Sequence, residues 1–152
     1  AALEPHFNML YPDHTEKVSL KRNSSNKFES IFLNVEVGST QSVLLQPLQG
    51  SRLGVWVAHG EGCFSFPRAE ADYDIPIKYC ASSYPANPSG SQFNAAALCS
   101  ADGRHLLMMP HLERSILPFQ WGYYPENREK HEVTPWILAF TSARKWIQEH
   151  GR

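Results

Sequence analysis

Apolar and polar positions alternate most clearly over residues 31–37, where Ile31, Leu33, Val35 and Val37 are spaced by Phe32, Asn34 and Glu36. A period of two predicts a strand with one better-buried face, and Gly38-Ser39 breaks it. Residues 54–58 are continuously apolar and predict a second strand that runs straight into His59-Gly60-Glu61-Gly62. Further strands are expected at 63–66 and 75–80, separated by an acidic segment, with a loop dense in Pro, Gly, Asn and Ser over 82–91. Residues 94–100 and 104–109 flank Ala101-Asp102-Gly103, and the Asp-Gly dipeptide favours a tight hairpin turn. That hairpin would leave Met109-Pro110-His111 at a strand end.

Helical signals are fewer. Residues 42–46 can form a short helix that Pro47 and Gly50 end. Near the C-terminus Thr134 is a good N-cap, with Pro135 at the first helical position. Trp136, Phe140, Ala143 and Ile147 follow at helical spacing, and Gly151 stands where a C-cap glycine would. Residues 1–30 are polar and weakly periodic, with a turn at Tyr11-Pro12-Asp13-His14 and a loop over 21–26. A Pro- and aromatic-rich loop covers 117–125. No internal repeat or low-complexity tract interrupts the chain.

Composition narrows the classes. The chain has 152 residues, 42% hydrophobic and 12% aromatic, enough for one packed domain. Its net charge of −1 is spread without long runs, so neither a nucleic-acid footprint nor a basic membrane patch is visible. Cys63, Cys80 and Cys99 are odd in number and lack C-x-x-C spacing, which points to a reducing compartment, by default the cytoplasm. No window approaches the roughly 20 apolar residues that span a bilayer, and no basic, then apolar leader opens the chain. The opening Ala1-Ala2-Leu3 fits a processed chain or a piece of a longer one.

His111 and Glu113 are the first chemical candidates. Two residues apart at a strand terminus, they can lean to one side, so the carboxylate orients an imidazole whose other nitrogen faces a substrate or thiol. An ordinary loop pair has the same spacing. In His59-Gly60-Glu61-Gly62 the glycines allow close backbone approach and expose N–H groups to a carboxylate, although a plain turn between strands reads identically. His59, Glu61, Cys63, His111 and Glu113 include zinc-binding residue types, but their spacing matches no familiar zinc motif, so no metal is expected. None of the three cysteines sits on the strained, small-residue turn that an activated nucleophile needs. Phe119, Trp121, Tyr123, Tyr124 and Trp136 form an aromatic group expected to pack the terminal helix onto a sheet, with base stacking as the alternative.

Four motifs stand in order: Arg22-Asn23-x-Ser25-x-x-Phe28-Glu29, Val57-Ala58-His59-Gly60-Glu61-Gly62, Tyr84-Pro85-x-Asn87-Pro88-x-Gly90-Ser91, and Asp102-Gly103-Arg104 through Met108-Met109-Pro110-His111-x-Glu113-Arg114. Together they resemble the glutaminase domain of the phosphoribosylformylglycinamidine synthase family, which belongs to the class I glutamine amidotransferases. The resemblance implies a flavodoxin-like α/β domain in which a cysteine thiolate attacks the amide of glutamine. His111 would serve as base and then acid, and Glu113 would orient it. Arg22, Asn23, Ser25, His59 and Gly60 would lie along the glutamine pocket. Released ammonia would pass to a synthase domain elsewhere in the parent protein, where ATP and Mg support conversion of formylglycinamide ribonucleotide to the amidine. Those two cofactors are expected there and none in this part.

The pattern departs from the family in two places. The family's nucleophile lies on a Gly-x-Cys-x-Gly-like elbow before the Arg-Asn-x-Ser motif, and the 21 residues before Arg22 contain no cysteine. Leu112 also stands where the family usually has proline. Residues 1–152 are therefore expected to be the C-terminal portion of the glutaminase domain, inactive alone, prone to self-association through the strand edge left by absent early strands of a parallel sheet, and partnered by glutamine and the rest of the synthase chain. The rival expectation is a non-catalytic glutaminase-like interaction domain, and a zinc protein stands third.

Overall fold

The computed structural model describes residues 4–128 and 132–151. The alternating segment forms β2 (Glu29–Val37), and the apolar run forms β3 (Arg52–His59). They pair antiparallel from Glu29 opposite His59 to Glu36 opposite Arg52. The period of two places Leu33, Val35, Val37, Leu53, Val55 and Val57 on one buried face. The short strand β5 (Ile77–Tyr79) completes a sheet of order β3-β2-β5.

Two smaller antiparallel ladders flank it. One joins β1 (Ser19–Lys21) to β4 (Cys63–Ser65), and the other joins β6 (Ala97–Cys99) to β7 (Leu106–Met108). The second is the hairpin expected around Asp102-Gly103. Gly103 has φ +73, and a Cβ there would stand 2.0 Å from the Gln41 carbonyl oxygen, so the turn needs glycine. All strand pairings among the described residues are antiparallel, which departs from the parallel sheet implied by a flavodoxin-like domain. The physical reason lies in the connections: parallel neighbours need a crossover of a dozen or more residues, usually an α-helix, and among the described residues only short 3-10 turns, no α-helix, lie between β1 and β7. The fold is a mixed one of helices and strands.

The helices differ from the periodicity in instructive ways. Helix α1 (Glu4–Leu10) lies in the stretch read as polar and irregular, and its Phe7 and Leu10 are buried in a second cluster with Val18, Phe64, Phe66, Tyr73 and Leu98. The helix expected at 42–46 is instead a turn followed by a 3-10 turn at Gln46–Leu48, because Pro47 cannot supply the N–H that an α-helix would use. Helix α2 (Ile137–His150) is present, led in by Thr134, whose Oγ1 accepts from the Trp136 N–H at 3.4 Å. Trp136 and Ala139 are buried, whereas Phe140 and Ile147 of the expected apolar stripe are exposed. The helix is seated through its first two turns: Trp136 Nε1 donates to Gly54 O at 2.8 Å, and Ser142 Oγ donates to Val43 O at 2.6 Å.

Among the expected aromatic packers, Trp121 packs on Phe32 and Tyr124 on Trp121, with ring centroids 5.5 and 5.2 Å apart. Phe119 and Tyr123 are exposed instead. Gly54 is required in β3 because a Cβ would meet the Phe32 ring at 2.3 Å.

Candidate active site

Past β7 the chain turns back onto the free edge of β3. His111 forms an isolated antiparallel bridge with Trp56, its N–H donating to Trp56 O at 2.7 Å. Ser115, fully buried, ties the next turn: its Oγ accepts from the Trp56 N–H and donates to His111 O, both at 3.3 Å. Its carbonyl accepts from Trp121 Nε1 at 2.7 Å and Thr134 Oγ1 at 2.6 Å. Leu112 opens a 3-10 turn, Leu112–Arg114, and packs against the main core. The loop is thus held by Ser115 and by apolar contact, with no proline at 112. Ser115 was not singled out from the sequence, since a lone serine in a loop carries no periodic or motif signal.

His111 Nδ1 lies 2.7 Å from Glu113 Oε1. An ionised carboxylate can only accept, so Nδ1 carries the proton and Nε2 is the ring's acceptor. The imidazole side chain is 31% exposed, and Arg114 Nε stands 3.9 Å from the same carboxylate oxygen. An oriented imidazole with one nitrogen pinned and the ring partly open to solvent is built to take up and return a proton.

The other three motifs meet in one place. Asn23 is 1% exposed, and its amide is the clasp. Asn23 Nδ2 donates to His59 O at 2.7 Å and Lys27 O at 3.0 Å, while Oδ1 accepts from the Gly62 N–H at 3.0 Å and from His59 Nδ1 at 3.2 Å. The Asn23 N–H donates to Gly60 O at 2.8 Å. Asn87 folds its own loop, accepting from the N–H groups of Gly90 and Ser91 at 3.0 and 3.1 Å. Ser91 Oγ then donates to Gly62 O, and Ser24 N–H donates to Ser89 O. Gly90, at φ +76, has the Ser24 hydroxyl 2.4 Å from where a Cβ would stand.

The predicted pocket residues therefore separate into two kinds. Asn23 and His59 are buried and spend their polar atoms largely on the protein itself. Arg22 is exposed and donates to Asn26 O, Ser25 Oγ accepts from the Lys27 N–H, and Gly60 is half-buried. His59 lies three residues along β3 from Trp56, the bridge partner of His111, about 10 Å at strand rise. Burial holds the His59 imidazole below its ordinary pKa, and the charge of His111 pushes the same way. Beside the pair, Trp56 and Arg114 help line a cleft of about 410 Å³ with Ser30, Ala58, Phe119 and Gln120; none of the seven predicted site residues lines it.

No cysteine is placed as a nucleophile. Burial pushes Cys63 and Cys80 up and Cys99 up to about 11, the reverse of what a reactive thiolate needs. All three are unpaired. Among the described residues no group of three or more His, Cys, Asp or Glu could hold a metal ion, and no helix is long and apolar enough to cross a membrane.

The chain was compared with known proteins on this footing. Residues 6–147 match the CobB/CobQ-like glutamine amidotransferase domain. A probable phosphoribosylformylglycinamidine synthase, chloroplastic/mitochondrial, of Arabidopsis thaliana is 39% identical over 148 residues, covering 88% of this chain and 10% of that protein. The phosphoribosylformylglycinamidine synthases of Dictyostelium discoideum and Homo sapiens are 40% and 37% identical over 151 and 142 residues, covering 88% and 86% of this chain and 11% of each relative. The chain thus spans about a tenth of these relatives' length. The solved structure of PurLQS from Thermotoga maritima superposes with a TM-score of 0.64 at 20% identity, covering 93% of this chain and 58% of the matched chain, a likeness of fold.

Proposed function

This chain belongs to the CobB/CobQ-like glutamine amidotransferase domain family, and we propose that it is the acid/base part of the glutaminase domain of a phosphoribosylformylglycinamidine synthase. The observation that supports this most directly is the 2.7 Å contact between His111 Nδ1 and Glu113 Oε1 in a loop tied to β3. On this reading a cysteine outside these 152 residues supplies the thiol. His111 Nε2 takes its proton, and the sulfur bonds to the amide carbon of glutamine. Collapse of the adduct breaks the carbon–nitrogen bond, and the proton returns from His111 to the departing ammonia. Water then cleaves the thioester to glutamate by the same base. Glu113 keeps the ring in the tautomer that does this and stabilises it when charged.

The loops carrying Arg22, Asn23, Ser25, His59 and Gly60 form the glutamine pocket, with Asn23 and His59 holding it from within. The domain is the C-terminal portion of a class I glutamine amidotransferase unit of mixed helices and strands. In the parent protein ammonia reaches a synthase domain that uses ATP and Mg to make formylglycinamidine ribonucleotide. Unpaired cysteines suit a reducing compartment, and we place the protein in the cytoplasm.

The test is nitrogen-source dependence. In the full-length protein His111→Ala should lower glutamine-dependent turnover by ~10²–10⁴-fold and leave turnover with added ammonium intact. Equal loss with both sources overturns the reading. The isolated chain should release no more glutamate from glutamine than its His111→Ala variant.

A further inference from the structure

Glu29 and His59 stand directly opposite each other at the end of the β2–β3 ladder. Opposed residues of an antiparallel pair project from the same face. Farther along, that face is apolar, with Ile31 opposite Val57, Leu33 opposite Val55 and Val35 opposite Leu53, so the stripe ends in two ionisable groups, 7% and 8% exposed. Burying a carboxylate and an imidazole is costly unless their polar atoms are bonded. His59 Nδ1 is committed to Asn23 Oδ1, which makes it the protonated nitrogen and leaves Nε2 as an acceptor. His59 Nε2 and Glu29 Oε1 are both buried acceptors without a hydrogen-bond partner among the described residues. Two acceptors do not satisfy each other; one water-sized donor between them satisfies both.

The ring has little freedom to look elsewhere. It rests on Gly62, where a Cβ would lie 2.1 Å from His59 Cε1. We propose that Glu29 is a positioning residue of the glutaminase site: through a donor shared with His59 Nε2 it fixes the imidazole, and through the bond from His59 to Asn23 it fixes the 22–27 and 59–62 loops. Its role in turnover rests on the glutaminase reading above; the pairing itself rests on ladder register and burial. Glu29 never touches glutamine on this account, and its effect is on how well the loops hold their shape.

Glu29→Leu and Glu29→Gln in the full-length protein separate the possibilities. The leucine leaves Nε2 without its shared donor, so KM for glutamine should rise about tenfold while kcat and ammonium-dependent turnover stay within about threefold of the original. The glutamine variant keeps an acceptor and gains an N–H that can reach Nε2, so it should restore KM to within about threefold. Loss of ammonium-dependent turnover, or a glutamine variant no better than leucine, overturns the proposal. Amide hydrogen exchange reads the pairing without turnover: exchange across 22–27 and 59–62 should quicken about tenfold in Glu29→Leu and little in Glu29→Gln. Unchanged exchange in Glu29→Leu overturns the pairing. His111→Ala measured alongside shows separately whether the glutaminase reading itself has failed.

Discussion

With His111 Nδ1 held 2.7 Å from Glu113 Oε1, charge and hydrogen bonding can be separated by substitution. Glu113→Gln still accepts the hydrogen bond but loses the negative charge, so glutamate release in the full-length protein should fall less than in His111→Ala. On the proposed reading, in which the two act as one unit, the double variant should be little worse than His111→Ala alone; multiplicative losses would show independent roles. His59 permits a pH prediction. Burial is the largest cause and lowers its pKa from 6.5, with His111 pushing the same way, while a backbone hydrogen bond at His59 and the charge of Glu29 push back by less. The unfolded chain therefore binds the proton more readily, and stability is lost as pH falls through 6.5 toward the folded value. Urea midpoints measured between pH 7 and pH 5 should drop less steeply in His59→Gln than in the original chain. An unchanged slope would mean the imidazole is not held neutral by burial. Of these residues, His111, Glu113 and His59 were legible in the sequence through motif and strand-end position. Ser115 and the role of Glu29 were not, since each depends on a partner about 30 or more residues away.

At the scale of elements, the antiparallel pair β2–β3 organises the molecule. Its buried face anchors the core, its free edge receives His111, and its end carries His59 into the loop that Asn23 clasps. Helix α2 joins this frame through Trp136, fully buried and bonded to Gly54 O. Trp136→Ala should destabilise the fold by about 3–5 kcal/mol, read as a lower urea midpoint, whereas Ile147→Ala on the exposed end should change little. Strand periodicity, apolar runs and the Asp-Gly hairpin located six of the seven described strands, because alternation and φ > 0 turns are local properties. Strand β1 and helix α1 escaped it: Leu20, and Phe7 with Leu10, are too few apolar positions to set a period in a polar stretch, and they are held in one cluster with distant Phe64 and Leu98.

Across the whole molecule, large apolar side chains remain in solvent: Phe28, Tyr84, Phe119 and Tyr123 on loops, and Leu138, Phe140 and Ile147 on α2. Exposed aromatic and aliphatic surface recruits other chains, and the chain spans about a tenth of its relatives. The isolated chain is therefore expected to self-associate, with sedimentation velocity as the measurement; a monodisperse monomer at tens of micromolar would contradict this. By itself the sequence determined six of the strand positions, the terminal helix, the candidate pair His111 and Glu113 and the family, because periodicity, turn chemistry and ordered motifs are written along the chain. Tertiary structure alone decided that every ladder among the described residues is antiparallel and that three motifs are laced together by Asn23, Asn87 and Ser91. It also decided that half of the apolar stripe of α2 faces solvent, and that a glutamate in the first motif lies opposite the histidine of the second. Those outcomes depend on which distant segments meet, and burial and hydrogen-bond satisfaction are settled only when they do.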